Sequence, residues 1–540
     1  MKYVCLLLLL SILSMITSCA AHSTHASHQV DIAQGSLQGS LDSSAKVRSF
    51  KGIPFAAPPV GDLRWRPPQA PAKWDGVRDA QQFGNQCMQH PLYSDMQFRS
   101  SGVSEDCLYL NVWTPAQSDN KKLPVLVYFY GGGFIAGDGS EKRYDGANMA
   151  KQGMVVVTVN YRLGVFGLMA HPQLSKESGY GGSGNYTFMD QQAALRWVAN
   201  NVAAFGGDPK RITIAGESAG SISVSALMAS PLSKDLIAGA IGESGSILGP
   251  PLGTVSLADG EELGVRVFRT LAGEMTDRMQ PSIDVLRTIP AQVLLDKVSR
   301  GNVGWFRPVV DGYVFPQAPA EIYADGKYAK VPLLAGVNSQ EGSYGQILGE
   351  QEPSVQNYQE AVKELYPNDY VQVLALYMAK TKEQVMEAAQ ALASDRFISY
   401  GTWNWVNEVA KTSQQATYYY LYDHIRPDMR QDFRDNPQSE VIKNRGAVHS
   451  AEIEYALGNL DANNMYEWQA DDYEVSNIMQ QYFVNFIKSG NPNGAGLISW
   501  PLFLEGKQLV IQKVPQAEDI SQLNARYQFH HKYYANNLNK

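Results

Sequence analysis

Ser218 stands at the centre of Gly216-Glu217-Ser218-Ala219-Gly220, a G-x-S-x-G sequence suited to a serine that attacks a carbonyl carbon. With 47 Gly in 540 residues, the pattern alone arises readily by chance, so its surroundings decide. It directly follows Arg211 to Ala215 (RITIA), a short strand pattern, and it opens a helix of small residues. A strand-to-helix elbow needs glycine on both sides because the sharp turn crowds the backbone, and it lifts the serine oxygen above a sheet. The first amides of the helix then lie beside that oxygen, where they can stabilise negative charge.

A serine nucleophile also needs a place for the developing oxyanion. Gly131-Gly132-Gly133 follows the apolar run Pro124 to Tyr130 (PVLVYFY), and consecutive glycines let backbone N–H groups turn inward without a Cβ in the way. Gly132, Gly133 and Ala219 are the expected donors. The base is expected to be a histidine after the serine in chain order, and His424, His449, His530 and His531 qualify. His424 ends a strand pattern and reads as structural. His530 and His531 lie in a polar terminal stretch (FHHKYY) and read as solvent-facing. His449, in Gly446-Ala447-Val448-His449-Ser450, sits in a loop before a helical pattern, from which a side chain can reach over a sheet edge. The third partner is a carboxylate that holds the imidazole and stabilises its charged form. Glu341, in NSQEGS just past the strand pattern VPLLAGV, fits that place. Asp311 in VVDGY competes with it, although Asp-Gly is also a turn signal.

The elements that must position these residues alternate. PVLVYFY and Met154 to Asn160 (MVVVTVN) read as strands buried on both faces, Asp190 to Val202 as a helix with Ala193, Trp197 and Val198 on its core face, and RITIA as the next strand. VPLLAGV and Thr417 to Tyr422 (TYYYLY) are further strands. Strands alternating with helices predict an α/β fold with a mostly parallel sheet. The helical stretches 257–300 and 355–410 are expected as insertions over the carboxyl end of that sheet, where ligands bind.

Composition narrows the function classes. A formal net charge of -8 leaves no basic footprint for nucleic acid. Residues 1–18 read as an export signal, with Lys2 ahead of an apolar run from Val4 to Met15 that is too short to span a membrane. Ile16 to Ala20 (ITSCA) resembles a lipobox that would make Cys19 a lipidated first residue and attach the protein to a membrane; simple cleavage near Ala20-Ala21 is the alternative. Residues 19–30 read as a flexible tether and 31–540 as one domain. Of four cysteines, Cys5 and Cys19 fall in the signal region, which leaves Cys87 and Cys107. In an exported protein such a pair is most simply a disulfide closing a loop of about 20 residues. No CxxC or Cys/His cluster occurs, and no metal or organic cofactor is implied.

Together these residues resemble the type-B carboxylesterases, the family that includes cholinesterases. The resemblance runs from Phe50 (FKGIPFAAPPVGDLRW) to about Pro501. It includes EDCLYLNV at 105–112, FGGDP at 205–209, the segments around Glu341 and His449 (GAVHSAEIEYALG), and Asn491-Pro492-Asn493. It implies an α/β-hydrolase fold, a Cys87–Cys107 bridge, and hydrolysis of small-molecule esters through an acyl-enzyme by Ser218, His449 and Glu341. It also implies that Ser244, in Glu243-Ser244-Gly245, orders Glu341. Two departures bear on substrate. Tyr130 stands where many members carry His before the glycines. The segment from Met88 to Asp106 lacks the Trp on which cholinesterases stack a quaternary ammonium, which argues against choline esters. The family also contains catalytically dead binding proteins that lost the nucleophile; here the serine, the glycine loop and both partners are present.

Overall fold

The computed structural model describes residues 28–44, 46–116, 121–249, 253–272, 282–300, 303–433 and 444–537. The expected export signal and Cys19 lie outside the described residues. A short strand begins at Gln29 and buries Val30, so regular structure starts inside the last residues of the expected tether.

The framework is an 11-stranded mixed sheet. Its strands in chain order are β1 (Ser40–Asp42), β2 (Val47–Pro54), β3 (Tyr109–Pro115), β4 (Leu123–Phe129), β5 (Val155–Val159), β6 (Gly207–Glu217), β7 (Gly239–Glu243), β8 (Leu333–Asn338), β9 (Thr417–Tyr422), β10 (Lys507–Ile511) and β11 (Gln516–Asp519). They lie in the order β11-β10-β9-β8-β7-β6-β4-β5-β3-β2-β1. Every pairing from β5 through β4, β6, β7, β8 and β9 to β10 is parallel, and antiparallel strands close both edges.

The sequence dictates this centre. Runs such as VVVTV and LPVLVYF put an apolar side chain on both faces, which suits only a strand covered on both sides. Val127, Val157 and Ile214 sit side by side in register across β5, β4 and β6, and all three are fully buried. Each such side chain contributes about 1.5–3 kcal/mol through burial. The strands expected from PVLVYFY, MVVVTVN, RITIA, VPLLAGV and TYYYLY all form, with ends shifted by a few residues.

The helix expected over 190–202 runs as α1 (Tyr186–Asn201), with Trp197 and Val198 buried but Ala193 only half-buried. α2 (Ala219–Ala229) leaves the elbow and is buried along its whole length. The two inserted stretches are helical as expected: α3 (Leu257–Ala272) with shorter helices after it, and α4 (Lys382–Ser394) leading through one π-helical turn, Asp395–Ser399, into α5 (Tyr400–Thr412). Residues 347–393 pack around a second hydrophobic cluster that includes Tyr358, Val385 and Leu392, closed by Phe529 from the terminal helix α6 (Ser521–Asn537).

That terminal helix corrects one expectation. His530 is fully buried, and its Nε2 lies 2.8 Å from the Tyr377 hydroxyl. Burial, with Arg396 and Arg526 nearby, holds its pKa down to about 3. The polar look of FHHKYY conceals a helix face of aromatic rings that docks on the inserted helices. Cys87 and Cys107 are joined as a disulfide across 20 residues.

Candidate active site

The elbow is built from close backbone approaches. β6 ends at Glu217, Ser218 takes φ 54° and ψ -119°, and α2 begins at Ala219. A non-glycine residue at that φ is strained and persists because its surroundings over-determine it. The Ser218 N–H donates to Glu243 O at 2.8 Å on the neighbouring strand end, and Ser218 O accepts from Ile222 N at 2.9 Å. A Cβ at Gly216 would lie 2.5 Å from Phe129 O, and one at Gly220 would lie 2.0 Å from the same oxygen. Both glycines are therefore demanded by the end of β4, which the elbow presses against.

The same strand end leads into the glycine loop. Gly132 has φ 113°, and a Cβ there would meet Ala136 O at 2.3 Å. Gly132 and Gly133 line a cavity of about 510 Å³ that also holds Ser218 and His449 in its wall. Ala219 is the first helical residue of α2, so its N–H is one of those the helix cannot use internally. Tyr130 braces the loop: its ring stacks on Tyr161 at 4.2 Å, and the Tyr161 hydroxyl donates to Tyr130 O at 2.5 Å.

His449 arrives from a loop strapped to the end of β8. Gln340 N donates to Ala447 O at 2.8 Å, the Arg445 and Gly446 amides donate to Gln340 Oε1, and Ala447 N donates to Ser339 Oγ. Asn338 Nδ2 also donates to Val448 O at 2.7 Å. This clasp puts His449 Nε2 3.0 Å from Ser218 Oγ and Nδ1 2.6 Å from Glu341 Oε2. Glu341 Oε1 accepts from Ser244 Oγ at 2.5 Å and from Asn338 N at 2.6 Å. Ser218, His449, Glu341 and Ser244 thus come together in one hydrogen-bonded line. Asp311 does not join it: its Oδ1 accepts from the amides of Tyr313, Val314 and Phe315, a turn role. His424 pairs with Asp472 at 2.8 Å.

Two carboxylates at this site escape sequence reasoning. Glu217 is buried with Oε1 3.2 Å from His449 Nε2. Glu452, also buried, accepts from Asn338 Nδ2 at 2.5 Å and from Ser244 Oγ at 3.3 Å. The only available signal was position, Glu217 inside the elbow and Glu452 three residues after His449. Burial raises Glu217 to about 7 against the opposing pull of His449 and Arg143. Burial, Glu217 and Glu341 raise Glu452 to about 8. For His449, burial disfavours the charged ring, but the Glu217 and Glu341 carboxylates outweigh it and hold its pKa above the usual histidine range.

Comparisons with known proteins bear on the family and the fold. The family profile described as Carboxylesterase family matches residues 26–534. Fumonisin B1 esterase of Sphingopyxis macrogoltabida is 36% identical over 471 residues, covering 85% of this chain and 82% of that protein. Para-nitrobenzyl esterase of Bacillus subtilis is 31% identical over 517 residues, covering 91% and 97%. A crystal structure of a Geobacillus stearothermophilus carboxylesterase superposes with a TM-score of 0.76 at 32% identity, covering 92% of this chain and 99% of that one.

Proposed function

The chain belongs to the carboxylesterase family and is a carboxylic ester hydrolase, and from that premise we propose that Ser218, His449 and Glu341 carry the reaction as nucleophile, base and orienting acid. The observation that supports this most directly is the unbroken line from Ser218 Oγ through His449 to Glu341, at 3.0 and 2.6 Å, in the wall of the cavity. His449 takes the Ser218 proton as the oxygen attacks the ester carbonyl. The backbone N–H groups of Gly132, Gly133 and Ala219 receive the oxyanion, and His449 then returns the proton to the departing alcohol. Water repeats both steps on the acyl-enzyme. Glu341 fixes the tautomer with its proton on Nδ1, and Ser244 holds Glu341 in place. Hydrolysis of 4-nitrophenyl esters by the purified protein, with a burst of one nitrophenol per chain ahead of steady turnover, is the expected signature. Steady hydrolysis that survives removal of the Ser218 hydroxyl would refute the assignment.

Glu217 sets the acid side of the pH profile. The base works only as neutral imidazole, so a raised His449 pKa moves the rising limb of kcat/KM to higher pH. That limb belongs to the coupled Glu217–His449 pair. Glu217→Gln removes one stabilising carboxylate 3.2 Å from Nε2, and the limb is expected to move to lower pH by about one pH unit or more. A limb that stays in place, or moves upward, would show that Glu217 does not govern the base.

We also propose that the protein is exported. Residues 1–18 act as a signal, and Cys19 becomes the lipidated N-terminus that tethers residues 31–540, read as one domain, to a membrane in the periplasm or outer membrane. The support is the apolar run Val4 to Met15 followed by ITSCA. Mass spectrometry of the mature protein checks it: a diacylglyceryl-modified Cys19 is expected, and an unmodified start beyond Cys19 excludes the anchor.

A further inference from the structure

The cavity in front of Ser218 is walled largely by apolar and aromatic groups, including Met96, Trp305, Phe397 and Ile398. Besides His449, four acidic or basic side chains reach its wall: Asp95, Arg143, Glu217 and Arg307. Three of these face an ionisable partner within the protein. Arg143 holds Asp95 at 3.3 Å and Glu141 at 2.6 Å, and Glu217 faces His449 at 3.2 Å. Burial alone would raise the Asp95 pKa, but Arg143 and Arg426 hold it below the usual carboxylate range.

Arg307 differs from the other three. Its Nε donates to Gly253 O at 3.0 Å, and among the described residues no carboxylate lies within 4 Å of its guanidinium. It is half-buried. Desolvation pulls its pKa down, and the charge of Asp259 opposes that only in part. A guanidinium taken partly out of water without a counter-charge is costly, and a carboxylate is the group its planar fork matches best.

The backbone around Arg307 is also fixed. Val255 N donates to Pro308 O at 2.9 Å, and Val309–Val310 pairs in parallel with Val255–Ser256. Trp305 lies against the glycine loop, so that a Cβ on Gly133 would sit 3.2 Å from its ring. The segment that carries Arg307 is therefore tied to the same wall as the candidate oxyanion donors, and among the described residues its guanidinium makes one hydrogen bond, through Nε, which leaves the terminal nitrogens for a ligand.

We propose that Arg307 determines specificity by pairing with a carboxylate on the substrate, so that the preferred class is esters bearing one free carboxylate in addition to the scissile group. Asp95 does not cancel this attraction because Arg143 and Arg426 offset its charge, and burial favours the protonated, neutral form of Glu217. The inference rests on Ser218 being the nucleophile of this cavity.

The test compares kcat/KM for two matched pairs, 4-nitrophenyl hydrogen adipate with 4-nitrophenyl hexanoate, and 4-carboxyphenyl butyrate with phenyl butyrate. The first pair places the charge on the acyl side and the second on the alcohol side. In Arg307→Met the ratio of charged to neutral ester is expected to fall by about 10- to 100-fold in one pair, the worth of a charge-assisted contact. Neutral turnover is expected to stay within about threefold of the parent, because the cavity and Ser218 remain. The pair that responds identifies which half of the ester carries the carboxylate. Ratios unchanged in both pairs, or equal losses on charged and neutral esters, would overturn the assignment. If the variant fails to fold, inhibition of the parent enzyme decides: adipate is expected to compete about tenfold or more better than hexanoate, and equal inhibition overturns the proposal. Hydrolysis that survives Ser218→Ala would instead refute the Ser218 reading. Normal neutral turnover with an unmoved ratio refutes Arg307 alone.

Discussion

Ser218→Ala is expected to lower kcat for ester hydrolysis by about 10⁴- to 10⁶-fold while leaving the fold intact. Members of a triad act as a unit, so losing the nucleophile removes nearly all that the unit supplies. What remains comes from the backbone N–H groups of Gly132, Gly133 and Ala219, which can still polarise an ester for attack by water and sustain a residual rate above the uncatalysed one. Folding is expected to survive because the elbow is held by its backbone. The Ser218 amide keeps its bond to Glu243 O, Ser218 O keeps its bond from Ile222 N, and the clearances at Gly216 and Gly220 are untouched. Alanine meets the same φ of 54° that serine already tolerates. Steady-state kinetics on a 4-nitrophenyl ester, with a thermal melt alongside, checks both halves. A variant within tenfold of the parent would move the nucleophile elsewhere in the cavity.

Glu341→Gln carries the second large effect, a fall in kcat of about 10⁴-fold with little change in stability. The reason lies in what surrounds the carboxylate. Oε1 accepts from Ser244 Oγ and from Asn338 N, so that position must remain an acceptor. A glutamine side chain that keeps its oxygen there turns its NH2 toward His449 Nδ1. Nδ1 must then accept, the ring proton moves to Nε2, and the atom facing Ser218 Oγ at 3.0 Å becomes a donor that cannot take the serine proton. Removal of the negative charge also withdraws support from the imidazolium that forms as the proton moves. The matching control is Asp311→Asn. That side chain accepts three turn amides and touches none of the line from Ser218 to Ser244, so it is expected to cost stability rather than rate. Near-parent turnover in Glu341→Gln would reopen the choice of acid.

Both predictions turn on residues that were legible in the chain, but to different depths. Ser218 was readable because its requirements are local: a strand of β-branched residues, a turn with glycine on each side, and a helix of small residues must follow one another. The glycine loop was readable for the same reason. His449 and Glu341 were reached through chain order, through loops placed just after strand patterns, and through resemblance to a family. The competing reading of Asp311 lost its force once its turn amides were visible. His530 was misread because a polar-looking terminal stretch carries its aromatic face at helical spacing, and only the helices it docks on reveal which side is buried.

The sequence by itself determined the α/β order of strands and helices, the elbow at Ser218 and the glycine loop, because each is specified by backbone conformation or by neighbours a few residues away, and it left one cysteine pair in the domain by elimination. Tertiary structure alone decided that Glu217 and Glu452 crowd the His449 site, that Asn338 joins Ser244 in holding Glu341, and that Arg307 reaches the cavity with no carboxylate partner among the described residues. Several of those relations join residues far apart in the chain, such as Ser244 with Glu341 at 97 positions and Ser244 with Glu452 at 208. They arise only where parallel strands bring their carboxyl ends to one edge, and the charge each group carries there is fixed by burial and by the company it keeps.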